Sequence, residues 1–173
     1  MTIGAGEGAS RFDAALEAMF RRAGAVRAST PLLQRAEPYL DTAGEDLRRR
    51  IFLTRGEGGE TLCLRPDFTI PVCLAHLQAG ETLPRSYSYN GPVFRQRGGE
   101  ASEFRQAGME NLGEPDRADA DARTLADTLD GLAACGLLSG DGIEAVVGDQ
   151  ALFEAFLRGL ALPAGWQRRL VRC

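Results

Sequence analysis

Two strand-like runs on either side of a short polar loop constrain this chain more than any other feature. Residues 95–97 and 103–110 have the composition of strands, and residues 98–102 between them contain two glycines. A glycine-bearing connection of this length between two such runs is typical of a β-hairpin. The sequence therefore predicts a hairpin near the middle of the chain.

Charged and polar side chains are predicted to line one surface of this hairpin. Side chains alternate faces along a strand, so Arg95 and Arg97 should share a face, as should Gln106, Gly108 and Glu110. An arginine fork binds a carboxylate or a phosphate, and Glu110 can accept a cationic or N–H-bearing group. Such a surface suits a small zwitterionic or phosphorylated ligand. An ordinary charged hairpin on a solvated sheet face explains the pattern equally well.

Composition bounds the class of protein. A chain of 173 residues with 44% hydrophobic and 25% charged residues can form one sizeable globular domain. The formal net charge is −4, and all 20 basic residues are arginine, because the sequence contains no lysine. Functions that need a phosphate-binding loop lysine or a Schiff-base lysine within this chain are therefore excluded.

The histidine and cysteine content favours neither a metal site nor a disulfide scaffold. His76 is the single histidine, and we interpret it as a helix-surface or boundary residue. Four cysteines lack metal-ligand spacing and are predicted to be free thiols in a reducing compartment: Cys63, Cys73, Cys135 and Cys173. We expect no metal and no cofactor. The absence of a signal-like start and of a long apolar run predicts a cytoplasmic protein without membrane contact.

The N-terminal half is predicted to alternate helices with short extended segments. Residues 1–9 are expected to be a flexible N-terminus, and residues 10–173 form the domain. Ser10 is predicted to cap a helix whose apolar face is Phe12, Leu16, Met19 and Phe20. Two prolines favour extended backbone over residues 32–40. A hairpin is predicted for residues 51–64, and Asp67 or Thr69 can cap the helix that follows.

The C-terminal half continues the mixed pattern. A strand is predicted over residues 85–90 with a kink at residues 91–92, and a short strand over residues 143–147. Asp149 is predicted to cap a helix, and residues 116–134 form another with one apolar face: Ala118, Ala122, Leu125, Leu129 and Leu132. Hairpin strands mixed with separate helices indicate an α+β fold with a largely antiparallel sheet.

Motifs in a fixed order resemble a known family. Five elements follow one another in the sequence. They are a helix, a proline-bearing segment, the run Leu-Arg-Pro-acid-x-Thr at residues 64–69, Phe-Arg at residues 94–95, and Phe-x-Gln-x-Gly-x-Glu at residues 104–110. Over residues 10–160 this order resembles the histidyl-tRNA synthetase-like family of class II aminoacyl-tRNA synthetase folds. The resemblance implies a class II synthetase-like core, an antiparallel sheet flanked by helices. The chain would be its N-terminal part, because the C-terminal motifs of the family are missing.

Within that family the chain departs from the catalytic members. Synthetases carry Phe-Arg-x-Glu, with the acidic residue contacting adenine, whereas here Arg97 takes its place. The loop after Arg95 is also shorter than in synthetases. Both departures resemble the regulatory subunits of ATP phosphoribosyltransferase, which lack aminoacylation activity.

The resemblance also implies a site and partners. Five residues correspond to the histidine pocket of the synthetases: Asp67, Thr69, Arg95, Gln106 and Glu110. A regulatory subunit would bind histidine, form a homodimer through residues 31–41, and associate with the short catalytic subunit of ATP phosphoribosyltransferase. Binding of tRNA would not be expected. The alternatives are a histidyl-tRNA synthetase, which activates histidine with ATP and charges tRNA, and an orphan amino-acid-binding paralogue.

Overall fold

The structure, a computed structural model, describes residues 7–138, 142 and 144–170. The chain divides into two compact units, Met1–Ser139 and Gly140–Cys173. The first unit contains every strand of the described residues, in two three-stranded sheets. The predicted α+β class is confirmed by this combination of antiparallel pairing and separate helices.

The larger sheet is built on one long hairpin. Strand β5 (Arg85–Phe94) pairs antiparallel with β6 (Glu103–Leu112) along ten residue pairs, and β1 (Val26–Arg27) joins β5 in parallel. The predicted hairpin therefore exists, but its first strand ends at Phe94. Residues 95–97 are not part of it; they begin the connection to β6, and only the amide of Arg95 extends the ladder, donating to the Ser102 carbonyl at 2.9 Å.

The predicted kink at residues 91–92 is wrong, because β5 runs through Gly91 and Pro92 without interruption. Proline cannot donate to a strand ladder, so it is confined to positions where its missing N–H is not needed. Strand β1 pairs only with Tyr87 and Ser88, and β5 is therefore an edge on that side at Pro92.

The smaller sheet has the order β2–β4–β3. The strands β3 (Leu53–Arg55) and β4 (Thr61–Leu64) form the second predicted hairpin, and β2 (Leu33–Arg35) pairs with β4 on its other side. The prediction of extended backbone over residues 32–40 is correct only for β2. Helix α2 (Glu37–Thr42) follows it, with Pro38 in the first turn, where a proline ring costs no hydrogen bond.

Helices cover both faces of the β5–β6 pair. Helix α4 (Thr69–Ala79) lies on one face, where Phe68 and Val72 join Tyr89 and Val93 in a buried cluster. Helices α1 (Glu7–Arg22) and α5 (Arg117–Ala134) lie together on the other face. Between them and β6 is a groove of about 270 Å³, lined largely by apolar side chains, among them Leu16, Met19, Phe20, Met109 and Leu132. Helix α3 (Glu45–Arg48) is short and exposed.

Two helix predictions need correction. Helix α1 begins at Glu7, so Ser10 lies inside it rather than at its cap, and of the predicted flexible N-terminus residues 1–6 fall outside the described residues. In α5 the predicted apolar face is only partly buried, because Ala118, Ala122 and Leu125 are exposed. The face toward α1 contains Gly131, where an added Cβ would lie 3.2 Å from the Met19 methyl group. The close approach of α1 and α5 at Gly131 therefore determines which side of α5 is buried.

In the second unit the regular structure among the described residues consists of two helices. Helix α6 (Gln150–Gly159) begins at Asp149, whose side chain accepts from the Leu152 amide at 2.6 Å, as predicted. Helix α7 (Ala164–Leu170) was not predicted. Residues 144–147 form no strand, so that prediction is wrong for them, and Ile143 lies outside the described residues. Within the described part of the chain, no helix is both long and apolar enough to cross a bilayer.

Candidate site on the α4 face of the hairpin

The pairing of β5 with β6 places three of the predicted polar positions on one face. Gly91 lies opposite Gln106, Tyr89 opposite Gly108 and Tyr87 opposite Glu110. Alternation along β6 puts Gln106, Gly108 and Glu110 on the same side as the α4 cluster, as predicted. We refer to this surface, with Phe104 at its start, as the site face.

Glu110 is held by two hydroxyl groups. The Thr69 hydroxyl donates to its Oε1 at 2.8 Å, and the Tyr89 hydroxyl donates to the same oxygen at 3.2 Å. Thr69 begins α4 and Tyr89 lies in β5, so three elements fix this carboxylate. In the described part of the chain no hydrogen bond reaches Oε2, which leaves one carboxylate oxygen for a ligand donor.

Tyr89 is a site residue that sequence reasoning missed. Its ring stacks on Phe68, with centroids 4.6 Å apart and planes 4° from parallel. Burial, followed by the charge of Glu110, raises the pKa of Tyr89, so the phenol stays protonated and donates. The signal that could have found Tyr89 is its cross-strand partner, Gly108. A Cβ there would lie 2.6 Å from the Tyr89 hydroxyl oxygen, so only glycine accommodates the ring.

Arg95 is fixed at the end of β5. Its Nε donates to the Pro66 carbonyl at 2.7 Å, and its guanidinium lies 5.5 Å from the Phe104 ring centroid. Arg97 lies over the same ring at 4.7 Å and forms an ion pair with Glu100 at 2.7 Å. The two arginines do not share a strand face as predicted, because residues 95–97 are not a strand, yet both converge on Phe104.

Asp67 lies one residue before the N-cap position of α4, which is Phe68, and Phe68 makes no side-chain cap hydrogen bond. The Ile70 amide in the first turn donates to the Asp67 side chain at a long 3.5 Å, so of the two predicted capping residues Asp67 makes the contact. Thr69 is the first residue of the helix and does not cap it. Burial raises the pKa of Asp67, while the Ile70 amide and the charge of Arg95 act in the opposite direction. The net rise means that this carboxylate lacks the full solvation that its charge needs.

Gln106 carries an unused acceptor. Its Oε1 is buried, and among the residues that the structure describes it has no hydrogen-bond partner. A buried polar atom without a partner typically costs about 1–3 kcal/mol, so such atoms in a folded protein call for an explanation. On the site face, the simplest one is a donor that arrives with a ligand.

Arg65 explains why Leu-Arg-Pro precedes the site. It is buried, and its guanidinium donates to the Thr30 carbonyl and hydroxyl at 2.8 and 2.9 Å and to the Pro92 carbonyl at 2.8 Å. The group also lies 3.7 Å above the Phe68 ring. Arg65 therefore joins the segment before β2, the end of β5 and the aromatic stack, and it positions Phe68 beneath Tyr89.

His76 is not the surface or boundary residue that we predicted. It is buried in α4, and its Nδ1 lies 3.0 Å from the Tyr87 hydroxyl oxygen.

The prediction of free thiols holds best for Cys63, which is free and fully buried; burial raises the pKa of its thiol to about 11. Cys73 and Cys135 are free and partly buried, and Cys173 lies outside the described residues.

Taken together, the five predicted site residues lie around one part of the fold: the β5–β6 pair and the start of α4. Thr69 and Glu110 are in direct contact, and Asp67 and Arg95 interact electrostatically. Gln106 lies between Phe104 and Gly108 on the site face, with its oxygen unpaired. The arrangement offers a carboxylate, an amide and a fixed cation beside an aromatic stack, with which a small zwitterion can be bound at both of its charged ends.

Comparison with known proteins agrees with this fold and this order of motifs. The family model described as Histidyl-tRNA synthetase matches residues 7–173. A solved histidine–tRNA ligase subunit from Alicyclobacillus acidocaldarius superposes on the whole chain, covering 51% of that protein, with a TM-score of 0.69 and 25% identity. The chain therefore belongs to the histidyl-tRNA synthetase family, and its fold is the class II synthetase-like core.

The more similar relatives are named for a different role within that family. The ATP phosphoribosyltransferase regulatory subunit of Allorhizobium ampelinum is 55% identical over 93% of this chain, and that of Sinorhizobium medicae is 53% identical over 90%. A solved structure from Bacillus halodurans is described as an ATP phosphoribosyltransferase regulatory subunit/histidyl-tRNA synthetase. Its match to this chain has a TM-score of 0.68 and 26% identity, and it covers 77% of this chain and 35% of the Bacillus protein. The chain spans 43% and 41% of the lengths of the two curated relatives.

Proposed function

We propose that the protein to which this chain belongs is the non-catalytic regulatory subunit of ATP phosphoribosyltransferase, which joins ATP to phosphoribosyl pyrophosphate in the first step of histidine synthesis. It binds histidine and regulates the short catalytic subunit of that enzyme in the cytoplasm. The names of relatives more than half identical over most of the chain support this role. Regulation then follows from linkage, because a ligand that prefers one state of the complex shifts its population.

The observation that carries the ligand proposal is the arrangement around Glu110. A carboxylate with one oxygen fixed by Thr69 and Tyr89 keeps the other for the ammonium group of an amino acid. Asp67 adds a second carboxylate, and the Arg95 guanidinium takes the ligand carboxylate. The unpaired Gln106 oxygen accepts from an N–H of the ligand.

Loss of aminoacylation is supported by Arg97. The position that carries an adenine-contacting carboxylate in synthetases is cationic here, and its charge is already matched by Glu100 and by the Phe104 ring. An ATP pocket with that substitution loses hydrogen bonds to the base. We therefore expect the full-length protein to catalyse neither histidine-dependent ATP–pyrophosphate exchange nor tRNA charging.

A homodimer is part of the proposal. Leu32 lies just before β2 and is 46% exposed, and Leu33 begins β2 and is 47% exposed. In the proposed dimer an isologous partner covers both side chains. Leu40, which belongs to the same predicted interface segment of residues 31–41, packs instead against the cluster around Tyr39 within the protomer. Sedimentation of the full-length protein at micromolar concentration should show a dimer, and a strict monomer would contradict this part of the proposal.

The deciding experiment combines the full-length protein with the short phosphoribosyltransferase. We expect the two to co-purify, and addition of the subunit to restore phosphoribosyl transfer. A parallel assay measures histidine-dependent ATP–pyrophosphate exchange, with an authentic histidyl-tRNA synthetase as the positive control. Robust exchange without any effect on the transferase would replace the regulatory function by the synthetase alternative.

A further inference from the structure

The hydroxyl group of Tyr39 is buried without a partner. Tyr39 lies in α2 and is 1% exposed, and among the residues that the structure describes no group forms a hydrogen bond with its hydroxyl. A hydroxyl that is taken out of water in this way destabilises the folded state. Since a phenylalanine would fill the same space without that loss, the hydroxyl calls for a role beyond packing.

A second buried donor without a partner lies near this hydroxyl. Arg65 is 3% exposed, and its two terminal nitrogens donate to Thr30 and to the Pro92 carbonyl. Its Nε is also buried, and within the described part of the chain it has no hydrogen-bond partner. Burial lowers the pKa of Arg65 and the Tyr39 hydroxyl acts in the opposite direction, so the two groups are within electrostatic reach of each other.

The carboxylate of Asp67 is an acceptor in the same region. Tyr39 belongs to a buried cluster against which Ile70 packs, and the Ile70 amide donates to Asp67. Burial, followed by the charge of Asp67, raises the pKa of Tyr39, so the phenol stays protonated and remains a donor. Two buried donors therefore lie near a half-buried carboxylate that lacks full solvation.

We infer that Tyr39 is a positioning residue of the proposed histidine site, and that it holds the Asp67 carboxylate through one bridging water molecule. The water accepts from the Tyr39 hydroxyl and from the Nε of Arg65, and it donates to Asp67. This arrangement satisfies all three groups, and three polar partners are typical of a buried water. The carboxylate is thereby oriented toward the ammonium group of the ligand. The inference rests on the proposed function, because Asp67 is proposed to meet that group.

The test is a double-mutant cycle in the full-length protein, with histidine affinity measured by calorimetry. Tyr39→Phe keeps the ring and removes only the hydroxyl, so it should weaken histidine binding by roughly three- to tenfold, as expected for one hydrogen bond. Asp67→Ala removes the carboxylate. In that background Tyr39→Phe should change the affinity by less than about twofold, because the group through which it acts is gone.

The matched control is Thr42→Val in the same helix. The Thr42 hydroxyl is exposed and donates to the Pro38 carbonyl at 2.6 Å. Its removal should leave histidine affinity unchanged in both backgrounds. If Asp67→Ala does not fold, Asp67→Asn replaces it, and Tyr39→Phe should then have a smaller effect in that variant than in wild type.

A tyrosine that only filled the core would weaken binding by the same factor in both backgrounds, and that result would overturn the inference. Unchanged histidine affinity in Tyr39→Phe would overturn it as well. A wild type that binds no histidine refutes the proposed ligand instead. Denaturant unfolding of the same proteins then tests the contact itself: Tyr39→Phe should change the unfolding constant at least about threefold more in wild type than in Asp67→Ala, and equal changes would refute the bridge.

Discussion

On one face of the β5–β6 pair, some polar groups have no partner among the described residues. On the other face, charged side chains form ion pairs and apolar side chains lie against the helices. The site face carries a Gln106 oxygen without a partner among the described residues, and the half-buried carboxylate of Asp67 lies near it at the start of α4. The reverse face carries the apolar groove under α1 and α5, and Arg105 there is matched by Asp13 at 3.0 Å. The site face therefore combines a buried apolar cluster, which supplies stability, with polar groups that cost stability. Such costs are typical of binding sites.

The largest effect on stability should come from the reverse face. Phe20 is 2% exposed, and Phe20→Ala should lower the free energy of unfolding by about 3–5 kcal/mol through lost burial and a cavity. Histidine affinity, measured under conditions where the variant is folded, should be unchanged. The matched control is Phe12→Ala in the same helix, at an exposed position, with a smaller loss expected in denaturant unfolding. Equal losses in both variants would show that the groove is not a core.

Gly108→Ala should damage the site face with a smaller loss of stability. The new methyl group would displace Tyr89 and so remove one hydroxyl from Glu110. We expect a loss of about 1–3 kcal/mol in unfolding free energy from overpacking. Calorimetry should also show histidine binding weakened by about tenfold, which corresponds to roughly 1.4 kcal/mol. Ala107→Ser, which adds one atom at the neighbouring position on the opposite face, is the control and should leave binding intact.

Asp67→Asn should give the smallest effect and the opposite sign. Because burial raises the pKa of Asp67 above 3.8, the folded state holds the proton more tightly than the unfolded state. Stability therefore falls as pH rises from below 3.8 through the folded-state pKa, and stays lower above it. The asparagine variant avoids this loss and should be more stable than wild type at pH 7, with the difference disappearing in acid.

Thermal unfolding at several pH values measures this difference, and a gain of about 1 kcal/mol would raise Tm by about 2–4 °C. Glu57→Gln, in the exposed turn between β3 and β4, is the control and should shift nothing. The stabilised Asp67→Asn should bind histidine more weakly, since a carboxylate proposed to meet the ammonium group is gone. A variant that is less stable at pH 7 would mean that the Asp67 charge supports the fold.

Local periodicity was enough to predict strand β6 and the face that Gln106, Gly108 and Glu110 share, but it placed the first strand of the hairpin at residues 95–97, which lie in the connection. It could not predict Tyr89 or Phe68 as site residues, because their roles depend on which residue of β5 lies opposite Gly108 and on where α4 packs. The same limit explains His76, whose burial follows from a partner, Tyr87, on another element. Arg95 lies beside Asp67, as the grouping of these two residues required, but the predicted geometry was wrong, since the strand ends before Arg95.

The most direct test of the whole account is calorimetric titration of the full-length protein with histidine, comparing wild type with Glu110→Ala and Arg95→Ala. Stranding one member of a charged pair typically costs about 2–5 kcal/mol, so affinity should fall by at least roughly tenfold in each variant. Both should stay folded, because the backbone ladder of β5 and β6 is untouched. Arg105→Ala, on the reverse face of β6, should keep wild-type affinity. Unchanged histidine affinity in the Glu110 and Arg95 variants would contradict the account and leave the hairpin as scaffold alone.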